Sequence, residues 1–198
     1  MLFDNSFIAF SLEEKLRNAY INECCVLENK MGAPGSPHRA DIGVIKADVI
    51  HGHVIRGTQF GAAKLVAQVE CCSRLFEQVT VVAGQNWHKV LDVLPAWCGV
   101  LTVTVDDDGD ARWVKLRAPG ASPHVDLSLA ASMMWKGYLA ERLCQIEGRM
   151  PPPSSERSEL AERLLHLRGP DGVRQELMTF LCWRRTAPPL TLSWCEVH

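Results

Sequence analysis

Two runs rich in β-branched residues, Ala40-Asp41-Ile42-Gly43-Val44-Ile45 and Val49-Ile50-His51-Gly52-His53-Val54-Ile55-Arg56, are separated by only Lys46-Ala47-Asp48. So short a connection makes an antiparallel hairpin the natural pairing. After the break at Gly57 to Gly61 the apolar period changes: Ala62, Leu65, Val69, Cys72 and Phe76 recur at helical spacing. Val79 to Ala83 is then a short, almost wholly apolar run of the kind buried on both faces of a sheet. Hairpin, helix and buried strand in that order predict an α/β chain.

Upstream, Phe7 to Tyr20 reads as a helix with Leu12 and Leu16 on its apolar stripe. Ser11 is its candidate cap, with Glu14 three positions on as in a capping box. Cys24 to Leu27 predicts an edge strand ending at Glu28, and Met31 to His38 a loop rich in Gly and Pro. Downstream, Trp87 to Leu94 predicts a helix that Pro95 stops, followed by strands at Trp97 to Val105 and Trp113 to Arg117. The acidic stretch Asp106 to Asp110 between them reads as a hairpin turn. An EF-hand loop would need a closing Glu where this chain has Leu116, Arg117 and Ala118. The remainder is helical in pattern: one long amphipathic helix at Leu127 to Gln145, a linker at Pro151 to Ser155, helices at Glu156 to Leu167 and Asp171 to Arg184, and an irregular tail. The division expected is an α/β core over residues 1–118 and a helical C-terminal extension over 119–198.

A net charge of -2 gives no global cationic field for holding nucleic acid, so any such contact must be local. The eight cysteines include two adjacent pairs but no CxxC and no Cys/His ladder at zinc spacing, which predicts buried reduced thiols rather than a metal site. No apolar run approaches the roughly 18 residues of a membrane span, and the N-terminus lacks the pattern of a secretory signal. These features predict a cytoplasmic protein with no membrane partner.

The polar residues sharpen the reading. Arg39-Ala40-Asp41-Ile42 opens the hairpin, which closes with Gly52-His53-Val54-Ile55-Arg56. Lys64-Leu65-Val66-Ala67-Gln68 follows on the helix, then Val79 to Gly84 and Pro95-Ala96-Trp97-Cys98-Gly99. Met134-Trp135-Lys136, Leu160 and the Arg-rich Val173 to Arg185 continue the pattern. In order and spacing these resemble the PD-(D/E)xK nuclease superfamily, and more closely a group of small bacterial and phage proteins within it. That group carries Arg-x-Asp-Ile, Gly-x-Glu-Ile-Lys, Arg-Leu-x-x-Gln and Pro-x-Trp-x-Gly. The resemblance implies a restriction-endonuclease-like core, a mixed central sheet flanked by helices, with a helical C-terminal part. It also implies chemistry: an Asp and a Glu on neighbouring strands hold Mg2+ or Mn2+, and a Lys two residues after the Glu orients the attacking water. Alternation along the strand puts that Glu and Lys on one face.

This chain departs from the pattern at the positions that carry the reaction. Asp41 is present and Glu28 matches an upstream acidic position, so these two are the metal ligands if the protein is active. The Glu position is Val54, which has no ligand atom. The Lys position is Arg56, a permanently charged planar fork. His51 and His53 fall on the opposite strand face from Val54 and Arg56, and only a bulge at Gly52 would bring one round. The residues Asp41, Arg56 and Gln68 thus mark a degenerate site, for which no cofactor is expected. Asp41 is either a metal ligand or a strand-end residue bonded to a loop amide, and Arg56 is placed to form a salt bridge with it. Gln68 either contacts a phosphate or caps neighbouring backbone. Arg39, Arg56, Lys64 and Arg74 form the candidate nucleic-acid contact. The Arg and Glu residues interleaved through the C-terminal half predict solvated helix faces.

Three functions follow from the resemblance. One is a catalytically degenerate nuclease-fold module that binds DNA or a protein partner, in DNA repair, phage biology or defence. Another is an active metal-dependent nuclease with a carboxylate such as Glu70 recruited from the helix. The third is a regulatory partner with no nucleic-acid contact.

Overall fold

The computed structural model describes residues 5–19, 26–45, 49–57, 61–84, 87–105 and 111–186, with the backbone alone at 26–29, 105, 185 and 186. Its centre is a mixed six-stranded sheet whose strands lie in chain order: β1 (Val26–Met31), β2 (Ala40–Ile45), β3 (Ile50–Arg56), β4 (Gln78–Ala83), β5 (Gly99–Val105) and β6 (Ala111–Arg117). β1, β2 and β3 form an antiparallel meander. β3, β4 and β5 run parallel, and β6 returns antiparallel to β5. The parallel steps are crossed by α2 (Ala62–Ser73) and α3 (Trp87–Val93), as parallel pairing requires. The hairpin, the helix and the buried strand therefore lie where the sequence pattern puts them. Connecting residues 46–48, 58–60 and 106–110, including the predicted acidic turn, are outside the described residues, as is the tail from 187 to 198.

The sheet has a buried cluster on each face. On one, Ile8, Leu12 and Leu16 of α1 (Asn5–Ala19) cover Ile42, Val44, Ile55, Val82 and Val103. On the other, Val54, Val79, Val81 and Val100 pack with Leu65 and Val69 of α2 and with the C-terminal helices α4 (Leu127–Ala131), α5 (Lys136–Glu147) and α6 (Arg157–Thr186). The two parts of the chain thus share one core cluster. Gly52 is required within it: a Cβ there would meet the Phe76 ring at 2.8 Å.

Several expectations are corrected. α1 begins at Asn5, so Ser11 lies inside the helix and caps nothing; the Asn5 side chain is committed to the Gly57 amide at 2.6 Å. β1 runs on to Met31, which makes Glu28 a mid-strand residue paired with Gly43 rather than a strand end. The long helix predicted at Leu127 to Gln145 is two. Asp126 caps α4 by accepting from the Leu129 amide, Ser132 Oγ donates to the Leu129 carbonyl at 2.6 Å, and Trp135 turns extended before α5 starts. Gly169 (φ 67°, ψ 176°) divides α6 close to the predicted gap between two helices. Cys72 and Cys98 are buried free thiols, but Cys182 is exposed. No helix among the described residues is long and apolar enough to cross a membrane.

The C-terminal arginines do more than solvate helix faces. Glu176, only 3% exposed, accepts from Arg142 through both oxygens at 2.6 and 2.8 Å and lies 3.4 Å from Arg168. Arg163 pairs with Glu147 across α5 and α6, and Arg174 with Glu77 beside the sheet. A carboxylate that deep in the protein requires such partners.

Candidate functional site

The site lies at the end of β3, where the strand leaves its neighbour β2. The ladder between them reaches Ile42 and His53. One step further the Asp41 side chain replaces a backbone acceptor: its Oδ2 takes the Ile55 amide proton at 2.7 Å. Strand alternation turns Val54 and Arg56 to the α2 side and Ile55 to the α1 side. Val54 is fully buried against that core and offers no ligand atom. Arg56 extends past it, with a side chain 15% exposed and Nη1 3.7 Å from Asp41 Oδ2.

Gln68, on the buried face of α2, closes the arrangement. Its Oε1 accepts from Arg56 Nη2, and its Nε2 donates to the Arg39 carbonyl at 2.5 Å. An ion pair between carboxylate and guanidinium, continued by hydrogen bonds through the Gln68 amide to the Arg39 carbonyl, thus links β2, β3 and α2. The three residues expected to mark the site are brought together. Asp41 pairs with Arg56, and the amide it bonds is that of Ile55 within β3 rather than a loop amide. Gln68 serves the backbone at Arg39 and the guanidinium at once.

Burial raises the pKa of the Asp41 carboxyl, while the Ile55 amide and the charges of Arg56 and Lys30 pull it the other way without cancelling the effect. Burial also lowers the Arg56 pKa, opposed by Asp41. Each charge is disfavoured by its low-dielectric setting and retained by its partners. Lys30 was not foreseen in this role. It stands on β1 across from Asp41, with an uncommon left-handed backbone (φ 55°). Its only sequence signal is the antiparallel register, which follows from a loop whose length alone does not fix it.

The remaining candidates divide. Arg39 and Lys64 are exposed at this end of the molecule, Arg39 through its carbonyl contact and Lys64 on the first turn of α2. Arg74 does not join them. It caps the opposite end of α2, about 15 Å of helix from Lys64, and pairs with Asp126 at 3.0 Å. Glu70 is exposed, two residues beyond Gln68 and on a different side of α2. The Glu28 side chain lies outside what is described. Among the described residues no three His, Cys, Asp or Glu side chains group closely enough to hold a metal ion. His51 and His53 stay on the face away from Arg56, since the pairing of β3 with β2 and β4 runs through Gly52 without a bulge.

Chemically, then, the arrangement fixes a guanidinium among a carboxylate, a side-chain amide and a backbone carbonyl. Neither buried thiol is suited to attack, since burial pushes Cys98 up to about 11 and Cys72 higher. Compared with family models, with curated proteins and with solved structures, the chain matches none.

Proposed function

We propose that this protein is a non-catalytic member of the PD-(D/E)xK nuclease fold that binds nucleic acid through its phosphates. The order of elements supports the reading: a helix, an antiparallel meander of three strands, a helix, then a strand parallel to the third. The observation that carries it is the position of the Arg56 guanidinium, held between Asp41 and Gln68 beside a buried Val54. In a two-carboxylate site a divalent cation neutralises the acids and activates water. Here a guanidinium neutralises the single acid and can activate nothing, because it neither exchanges ligands nor gives up its proton. Lys30, Arg39 and Lys64, exposed around it, supply a local cationic edge on a chain of net charge -2.

The test is incubation of the pure protein with plasmid, linear and single-stranded DNA in Mg2+ or Mn2+, with Asp41→Ala alongside. The reading expects binding that weakens steeply with salt and no cleavage. Cleavage that disappears in Asp41→Ala would make the protein an active nuclease, and absence of any DNA binding would leave a protein partner as the occupant of this surface.

A further inference from the structure

On the face of the sheet away from Arg56, α1 covers only part of the strands. Beyond it lies a cavity of about 290 Å3 that none of the preceding chemistry uses. Its floor is built by parallel register: His51 stands beside Gln78 and His53 beside Thr80. The two imidazoles stack with centroids 4.2 Å apart, and His51 Nε2 is 2.8 Å from Thr80 Oγ1. Gly99 keeps the floor tight, since a Cβ there would meet Thr80 Oγ1 at 2.6 Å and Pro119 at 3.0 Å.

The wall is cationic. Lys115 and Arg117 on β6 both line the cavity, and no carboxylate does so among the described residues. Arg117 arrives there through a register shift between β5 and β6 at Val100 and Leu101, the kind of irregularity that re-aims a side chain. Its Nε donates to the Cys98 carbonyl at 2.7 Å, which fixes the guanidinium.

Two buried polar atoms are left over. His53 is only 5% exposed and lines the cavity, yet its Nδ1 has no hydrogen-bond partner among the described residues. Arg117 Nη2 is likewise buried and unpartnered. Groups so placed are costly unless something completes them. Burial, with His51 beside it, holds the His53 pKa well below the usual value against the opposing hydrogen bond to the Ile42 backbone, so the ring is neutral and carries one N–H donor and one acceptor nitrogen.

We propose that this cavity is a binding site for a phosphate monoester. Arg117 Nη2 and Lys115 supply charge-assisted contacts to the phosphoryl oxygens, and His53 Nδ1, Gln78 and Thr80 surround them with neutral hydrogen-bonding groups. A carboxylate has two oxygens for this many donors, whereas a phosphate has three free. The volume also leaves room for part of the esterified group. The site stands on a different face from the Asp41 network and does not depend on the reading of that network.

The experiment titrates the full chain, at constant ionic strength, with inorganic phosphate, adenosine 5′-monophosphate, and an oligodeoxynucleotide with and without a 5′-phosphate. Calorimetry gives affinity and NMR follows the His51 and His53 imidazoles. The expected result is saturable binding of phosphate and its esters, with the His53 ring signals moving. Affinity should fall about tenfold in Lys115→Gln, an exposed position that leaves the core intact, and in Arg117→Gln. Tighter binding of the mononucleotide than of the 5′-phosphorylated strand assigns the site to a free small ester, and the reverse order to a nucleic-acid end. Absence of saturable binding by all of these ligands, or binding that Lys115→Gln leaves unchanged and His53 does not sense, overturns the proposal.

Discussion

Arg56 Nη1 lies 3.7 Å from Asp41 Oδ2 while its Nη2 donates to Gln68, so one guanidinium ties the start of β2 to the buried face of α2. The carboxylate is more open to solvent than the guanidinium, with side chains 39% and 15% exposed. Burial disfavours both charges, and each is retained by its partners. Arg56→Ala removes that cation and leaves the Gln68 oxygen and Asp41 without it. The expected effect is a loss of about 1–3 kcal/mol of stability, measured by urea denaturation. Arg56→Lys should recover only part, because an ammonium cannot fork between the two acceptors.

His53 governs a pH response. Its folded pKa lies well below the ordinary 6.5 because it is buried, with His51 adding to the effect and a hydrogen bond to the Ile42 backbone opposing it; Lys115 and Arg117 line the same cavity. In the window between the folded value and 6.5 the unfolded chain binds the proton and the folded chain does not. Stability contributed by neutral His53 is therefore complete above pH 6.5 and declines as pH falls below it, by up to about 1.4 kcal/mol per pH unit. A urea-denaturation series from pH 7.5 to 5 reads the slope, and His53→Gln should flatten it.

Nucleic-acid binding, if it runs through the proposed edge, should follow the local charges. Lys64→Gln and Arg39→Gln are each expected to reduce the dependence of log affinity on log salt by about one. Arg74→Gln, at the far end of α2 and paired with Asp126, should leave that slope unchanged. Fluorescence anisotropy at several salt concentrations distinguishes the three.

Gly52→Ala should destabilise the protein by about 1–3 kcal/mol, the usual result of overpacking a core. The added methyl group would sit 2.8 Å from the Phe76 ring, which is itself fully buried. A shift in the thermal midpoint measures it.

What the sequence made legible follows from where local pattern determines structure. β2 has the predicted bounds and β3 differs by one residue, because two alternating runs joined by a short connection have one good pairing. The meeting of Asp41, Arg56 and Gln68 was implied by the family resemblance; alternation along β3 by itself only puts Val54 and Arg56 on one face, and Gln68 lies beside the apolar stripe of α2, not on it. The split of α4 from α5 was not legible, since Met133, Met134 and Leu139 continue an apolar pattern through residues whose backbone turns away. The capping box at Ser11 misled because α1 starts a turn and a half earlier, where Asn5 answers a distant glycine amide. Lys30 and the cavity of His53 and Arg117 depend on strand registers far apart in the chain. No local spacing encodes those.

Calorimetric titration with Mn2+ addresses the central claim most directly, comparing the wild type with a Val54→Glu, Arg56→Lys double variant whose fold is checked by circular dichroism. With Arg56 as the fixed cation, the wild type should take up no Mn2+ at this site, and the double variant, given a second carboxylate beside Asp41, should bind one ion. Mn2+ bound by the wild type and lost in Asp41→Ala would contradict the account.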